Sequence, residues 1–151
     1  MRALIQRVSR ASVTIMEDIS GEIGRGLVVF IGIEEGDGSD DIQWIVKKIV
    51  NMRIFNDENG VMNVSANDRL FDVLAVSQFT LHANNKKGNR PSYIKAAKPE
   101  VSIPIYNEFL TVLRRDLHGT VETGEFGADM QVELVNDGPV TIWLDSKEKG
   151  Y

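Results

Sequence analysis

Seven consecutive residues, Leu27-Val28-Val29-Phe30-Ile31-Gly32-Ile33, carry no polar side chain. Side chains alternate faces along a strand, so a strand that is apolar at every position needs cover on both sides. The run therefore predicts a sheet with packed layers on both faces, and Val73-Leu74-Ala75-Val76 reads as another buried strand. Nearer the start, Ala11, Val13 and Ile15 alternate with Ser12, Thr14 and Met16, the period of a half-buried strand. Gly21, Gly24 and Gly26 read as turn glycines. They precede a strand and no Gly-Lys-Ser/Thr follows, so a phosphate loop is not indicated.

Two helices interrupt the strands. Ser39 reads as an N-cap, with Asp40 and Asp41 in the first turn, where the helix dipole favours carboxylates; Ile42, Ile45, Val46 and Ile49 share one face. Tyr106, Phe109, Leu110, Leu113 and Leu117 mark a second helix, entered through Pro99 and Pro104 with Pro104 in its first turn, and closed near Gly119. Asn59-Gly60 predicts a hairpin over Ile54–Met62, because both residues tolerate positive φ. The last strands, Met130-Val132-Leu134 and Val140-Ile142-Leu144, are joined through Asn136-Asp137-Gly138-Pro139, which on its own reads as a hairpin loop. Strands that mostly neighbour one another, with two main helices, predict an α+β fold of largely antiparallel sheets, barrel- or sandwich-like, in a single domain. That domain is expected to span residues 1–146, with a short tail at 147–151.

Composition removes several classes of function. A chain of 151 residues with 42% hydrophobic and 26% charged residues is expected to be an ordinary globular protein. No stretch approaches the ~20 apolar residues of a spanning helix, and Met1–Val8 meets a charge before any signal-like core develops. A soluble, cytoplasmic protein with no membrane partner is expected. Cysteine is absent, which rules out disulfides and thiolate zinc sites, and His82 and His118 share no ligand spacing, so neither metal nor cofactor is expected. The net charge of −5 opposes polyanion binding in general. Residues 84–98 nevertheless hold Lys86, Lys87, Arg90, Lys95 and Lys98 without an acid, a patch suited either to solvation or to phosphate contact.

Ser77-Gln78-Phe79-Thr80-Leu81 places hydrogen-bonding groups at the end of a buried strand, where they must be satisfied or used. A polar strand end and a ligand cradle both remain open. Thr80 could act as a nucleophile if His82, two residues on, served as its base.

Ser77-Gln78-Phe79-Thr80 and Asn136-Asp137-Gly138-Pro139-Val140-Thr141, with Lys87–Ser92 and Phe126–Met130 at the expected places, together resemble D-aminoacyl-tRNA deacylases over Met1–Ser146. Asp68–Asp72 departs from the glycine turn common there. The resemblance implies a cytosolic homodimer that hydrolyses the ester joining a D-amino acid, or glycine mischarged on tRNA-Ala, to the terminal adenosine of tRNA. Ser77, Gln78, Phe79 and Thr80 would form the catalytic segment: the first three would hold the adenosine, and main-chain N–H groups near Phe79 and Thr80 would donate to the reacting ester. Phe126 and Met130 would line the pocket, while Gly138 and Pro139, joined by a cis bond, would enter the partner's pocket and exclude L side chains. Lys86, Lys87 and Arg90 would receive tRNA phosphates, and no metal or cofactor would be needed. The alternative is a non-catalytic tRNA- or nucleic-acid-binding module, with the basic segment as its whole site.

Overall fold

The computed structural model describes residues 1–150. Strand β1 (Arg2–Ile15) turns at Met16 and Glu17, both at positive φ (48° and 71°), into the antiparallel β2 (Asp18–Ile23). Strand β3 (Gly26–Gly32) pairs antiparallel with the first half of β1, from Arg2 opposite Gly32 to Val8 opposite Gly26. Helix α1 (Ser39–Asn51), the small hairpin β4 (Phe55–Asn56) and β5 (Met62–Val64), and the four-residue α2 (Ala66–Arg69) lead to β6 (Asp72–Ser77), which lies parallel to β3. A 3-10 turn (Phe79–His82) and α3 (Pro99–Asp116) follow. Strand β7 (Val121–Thr123) adds parallel to β6, and β8 (Gln131–Asp145) runs antiparallel along nearly all of β1. Ser20 Oγ donates to Thr123 O at 3.2 Å, bringing β7 against β2 and curling the mixed sheet into a nearly closed barrel.

The fully apolar run behaves as its composition requires. Leu27, Val29 and Ile31 point to a core shared with Ile42, Ile45, Val46 and Ile49 of α1 and Phe109 and Leu113 of α3. Val28 points the other way, into a second cluster with Val8, Val13, Leu74 and Val76. Each such side chain contributes about 1.5–3 kcal/mol on burial, so two-sided cover is what makes an all-apolar strand stable.

Several local expectations shift. The cap of α1 is Gly38, not Ser39, because Asp41 reaches back to accept from the Gly38 N–H at 3.0 Å. Pro104 lies in the second turn of α3, with Pro99 at its first position, where a missing N–H leaves no bond unmade. The 54–62 hairpin exists, but only Gly60 has positive φ (76°); Asp57 Oδ1 holds the turn by accepting from the N–H groups of Asn59 and Val61. Gly21 and Gly26 are strand residues whose missing side chains permit close approach. A Cβ at Gly26 would stand 2.0 Å from Asp72 O, and one at Gly21 would stand 2.8 Å from Thr123 O. Residues 136–139 do not join a hairpin: both flanking segments lie on β1 in the same direction. The register passes from Asn136 opposite Val8 to Thr141 opposite Gln6, so the loop is a bulge in one long strand.

Asp41 also ties α1 to the end of β8. Burial would raise its carboxyl, but bonds from Ser146 Oγ (2.6 Å), Lys147 Nζ (3.0 Å) and Gly38 N outweigh this and bring its pKa to about 2, from the ordinary 3.8. The folded state therefore binds this proton more weakly than the unfolded chain. The resulting stability, about 2 kcal/mol, is complete above pH 3.8 and is lost as pH falls toward 2. Asp41→Asn is expected to lower the unfolding free energy by about that amount at pH 7 in urea melts, with the gap narrowing between pH 4 and pH 2. A gap that stays constant with pH would contradict this.

Candidate active site

The parallel pair β3–β6 ends in a cavity of about 540 Å³, at the carboxyl ends of the strands. Gln78 N donates to Ile31 O at 2.7 Å, extending the pairing one step beyond β6 before the chain turns into the 3-10 segment. One wall is Ile31, Ile33, Val76, Ser77, Gln78 and Phe79. The remaining wall comes from Ala96 and Ala97 just before α3, Pro99 and Ser102 in its first turn, and Phe126 to Met130 in the connection between β7 and β8.

The turn presents main-chain donors. A 3-10 turn leaves its first N–H groups without an internal acceptor, and among the described residues the amides of Phe79 and Thr80 donate to none. Arg2 fixes the far side of the turn: its Nη1 donates to Leu81 O at 3.0 Å while its Nε pairs with Asp145 at 2.9 Å. Phe126 packs on Tyr106 at a ring distance of 5.5 Å, and Tyr106 donates to Ala75 O at 3.3 Å. Burial pushes the Tyr106 hydroxyl up to about 12, so it stays a neutral donor that fixes the pocket wall.

A family model described as D-Tyr-tRNA(Tyr) deacylase matches residues 4–145. A D-aminoacyl-tRNA deacylase of Bacteroides thetaiotaomicron is 59% identical and one of Chromobacterium violaceum 61% identical, over 99% and 97% of this chain and 99% and 98% of theirs. The chain belongs to the D-Tyr-tRNA(Tyr) deacylase family. It is thus related throughout its length to hydrolases. A solved structure named c-Myc DNA Unwinding Element Binding Protein superposes with a TM-score of 0.89 at 43% identity, covering 96% of this chain and 98% of that one. A probable eukaryotic D-amino acid tRNA deacylase shares the fold, with a TM-score of 0.79 at 18% identity over 95% and 97%.

In this deacylase-family chain, Ser77, Gln78, Phe79, Phe126 and Met130 all line the one cavity. Thr80 is half-buried beside it and accepts a hydrogen bond from Gln78 Nε2 through its hydroxyl. Lys86, Lys87 and Arg90 lie outside the cavity on an exposed loop closed by reciprocal Asn84–Ser92 backbone bonds. That loop reaches the cavity's edge through Tyr93, whose ring meets Phe79 edge-on at 5.1 Å. Gly138 and Pro139 are exposed, joined by a cis bond, and line no part of this cavity. Sequence reasoning missed Ala96, Ala97 and Ser102 as wall residues. They carry no distinctive chemistry; Ala97 N donates to Ile33 O at 2.9 Å, which sets the segment leading into α3 beside the end of β3, and Ser102 follows in the first turn of that helix.

The pairing of Thr80 with His82 does not form. His82 is buried, 1% exposed, behind Gly32, whose backbone is the nearest polar partner of the ring, and neither ring nitrogen makes a hydrogen bond of good geometry among the described residues. Among the described residues no group of three or more His, Asp or Glu is placed to hold a metal ion. Burial lowers the His82 pKa below its ordinary 6.5, so the folded state holds the neutral ring. Unfolded chains take up that proton as pH falls through 6.5, and stability is lost below that point. His82→Phe is expected to flatten the fall in melting temperature between pH 7 and pH 5; equal slopes in the two proteins would contradict this.

Proposed function

We propose that this chain hydrolyses the ester of D-aminoacyl-tRNA, and of glycyl-tRNA mischarged on tRNA-Ala, in the cytoplasm, releasing free amino acid and tRNA. The observation that carries the reading is the placement of Ser77–Phe79 on the cavity wall with two unpaired amide N–H groups at Phe79 and Thr80. The volume, about 540 Å³, falls in the range of small-molecule sites and suits a terminal adenosine with its amino acid. Ser77, Gln78 and Phe79 hold the nucleoside, with Phe126 and Met130 opposite.

The chemistry asks for positioning more than for reactive side chains, because an aminoacyl ester is already activated. Water adds to the ester carbonyl, assisted by the neighbouring 2′-OH of the substrate, and the 3′ oxygen leaves with a proton. The N–H groups of Phe79 and Thr80 meet the developing oxyanion, and losing one such donor typically costs ~2.7–4 kcal/mol. Lys86, Lys87 and Arg90, on the exposed loop whose Tyr93 reaches the cavity's edge, receive acceptor-stem phosphates.

Selection of D over L is assigned to the Gly138-Pro139 loop of a partner subunit. Two facts support a second copy. The loop lies away from its own chain's cavity, and β8, which carries it, pairs among the described residues only with β1, leaving a 15-residue outer edge of the kind that takes another chain. The loop's carbonyl oxygens then occupy the space that an L side chain needs, whereas glycine passes. The 43% identical neighbour is named for binding a DNA unwinding element, which favours one other reading: nucleic-acid binding without turnover.

Purified protein with a chelator is expected to release D-tyrosine and glycine from their tRNAs and to spare L-Tyr-tRNA. Tight binding of uncharged tRNA with no turnover would favour the non-catalytic reading. Gly138 has φ +131°, which strains any L side chain, and a Cβ there would stand 2.7 Å from Arg7 Nη2, so an alanine strains the loop and pushes on the arginine that holds it. Gly138→Ala is expected to lower the D-over-L rate ratio by at least about tenfold, about 1.4 kcal/mol of discrimination; an unchanged ratio would remove the loop from selection.

A further inference from the structure

A second cavity, of about 480 Å³, lies beside the Gly138-Pro139 loop and is lined by Arg7, Arg25, Arg69, Asn56, Phe55, Phe71 and Asp137. Three guanidinium groups face one carboxylate, on a chain whose net charge is −5. Arg7 is committed to structure. Its Nε donates to Asp137 O at 2.9 Å and its Nη1 to Ile54 O at 2.6 Å, which fastens the loop to the cavity's rim. The other two arginines are exposed, and neither is held by a buried carboxylate. Arg25, in the turn between β2 and β3, makes no hydrogen bond or ion pair among the described residues. Arg69, ending α2, gives Nη2 to Asn56 O at 3.0 Å, lies 3.9 Å from Glu58 on a side chain that is 86% exposed, and acts at longer range on the carboxylate of Asp57.

We infer that Arg25 and Arg69 form a phosphodiester-binding site that grips the single-stranded 3′ end of the tRNA whose aminoacyl group lies in the partner subunit's cavity. The inference rests on the loop assignment proposed above. Because Arg7 ties loop and cavity into one unit, a loop that reaches an aminoacyl ester in the partner carries this cavity to the nucleotides that follow it. Guanidinium forks match phosphate oxygens in pairs, and an exposed glutamate at 3.9 Å yields readily to a phosphate. Substrate would thus be held by two surfaces: the lysine-bearing loop of the subunit that hydrolyses it, and the arginine pair of the subunit that screens it.

The test compares the Arg25→Gln/Arg69→Gln double variant with the unaltered protein on D-Tyr-tRNA and on D-tyrosyl-adenosine, which has no phosphate. The variant is expected to raise KM for the tRNA about tenfold with kcat kept within about twofold, and to reduce the slope of log KM against log salt by about 1.4, at ~0.7 per single-strand phosphate contact. Turnover of D-tyrosyl-adenosine should not change, which also shows that the variant folds. An Arg→Lys pair should restore the salt slope more fully than KM, since it keeps the charge and loses the fork.

Unchanged KM and salt slope on tRNA, in a protein that still spares the L substrate, would overturn the site while leaving the proposed activity intact. Absence of D-selective turnover in the unaltered protein would instead overturn the activity. If millimolar inorganic phosphate protects the unaltered protein from thermal unfolding, and the double variant shows no protection but a normal KM, the site takes free anion and the inference also fails.

Mixed dimers decide which subunit supplies the arginines. One subunit carries Met130→Trp to block its cavity. When the open subunit lacks both arginines and the blocked one keeps them, KM for tRNA should be normal; with the arginines removed from the blocked subunit instead, KM should rise. The reverse pattern, or full activity in a monomer, would overturn the assignment to the partner.

Discussion

Strand β1 is hydrogen-bonded along both edges. On one side its first half takes β3 and its second half β2; on the other, β8 covers nearly its whole length. Removing a central strand would leave unpaired N–H and C=O groups on every neighbour, each costing about 1–3 kcal/mol if buried. The site depends on this strand twice. Through β3 it sets the position of β6 and the 3-10 turn, and through Arg2 and Arg7 it fixes the outer side of that turn and the 136–139 loop.

The loop and the cavity are accordingly parts of one framework, although they lie apart within a single chain. The loop bulges opposite Arg7 and is closed by its own side chains, with Asn136 Oδ1 accepting from Val140 N at 3.0 Å and Asn136 Nδ2 donating to Thr141 Oγ1 at 2.9 Å. A feature so fixed at both ends suits the role proposed for it in a partner subunit, because little order would be lost on docking. The cavity wall is similarly held from behind, by Tyr106 under Phe126 and by Arg2 under Leu81. Walls held in this way, with main-chain donors beside them, suit the proposed reaction, which needs alignment more than a reactive side chain.

Close contacts explain features that composition could only flag. The glycines at 21 and 26 look like turn residues in sequence because glycine is the usual turn residue. Their actual role is to let Thr123 O and Asp72 O come within the space of a Cβ, which is how β7 and β6 reach their neighbours. His82 likewise lies two residues from Thr80, yet the 3-10 turn carries it into the interior behind Gly32. Sequence separation measures reach only when the backbone geometry is known.

Patterns within the chain were enough to set the composition of the layers and the membership of the family. Unbroken apolarity at Leu27–Ile33 required two-sided cover, the spacing of Ile42, Ile45, Val46 and Ile49 required one buried face, and the segments at 77–80 and 136–141 carried a resemblance that the family model matches over residues 4–145. These properties are periodic or local, so they survive without knowledge of what packs where. Folding in three dimensions was needed to decide the parallel course of β3, β6 and β7, the continuity of β8 through an expected turn, the burial of His82, and the gathering of Arg7, Arg25 and Arg69 around one cavity. Each of these joins residues far apart in the chain. Such partnerships are set by which surfaces exclude water together, and no local pattern encodes them.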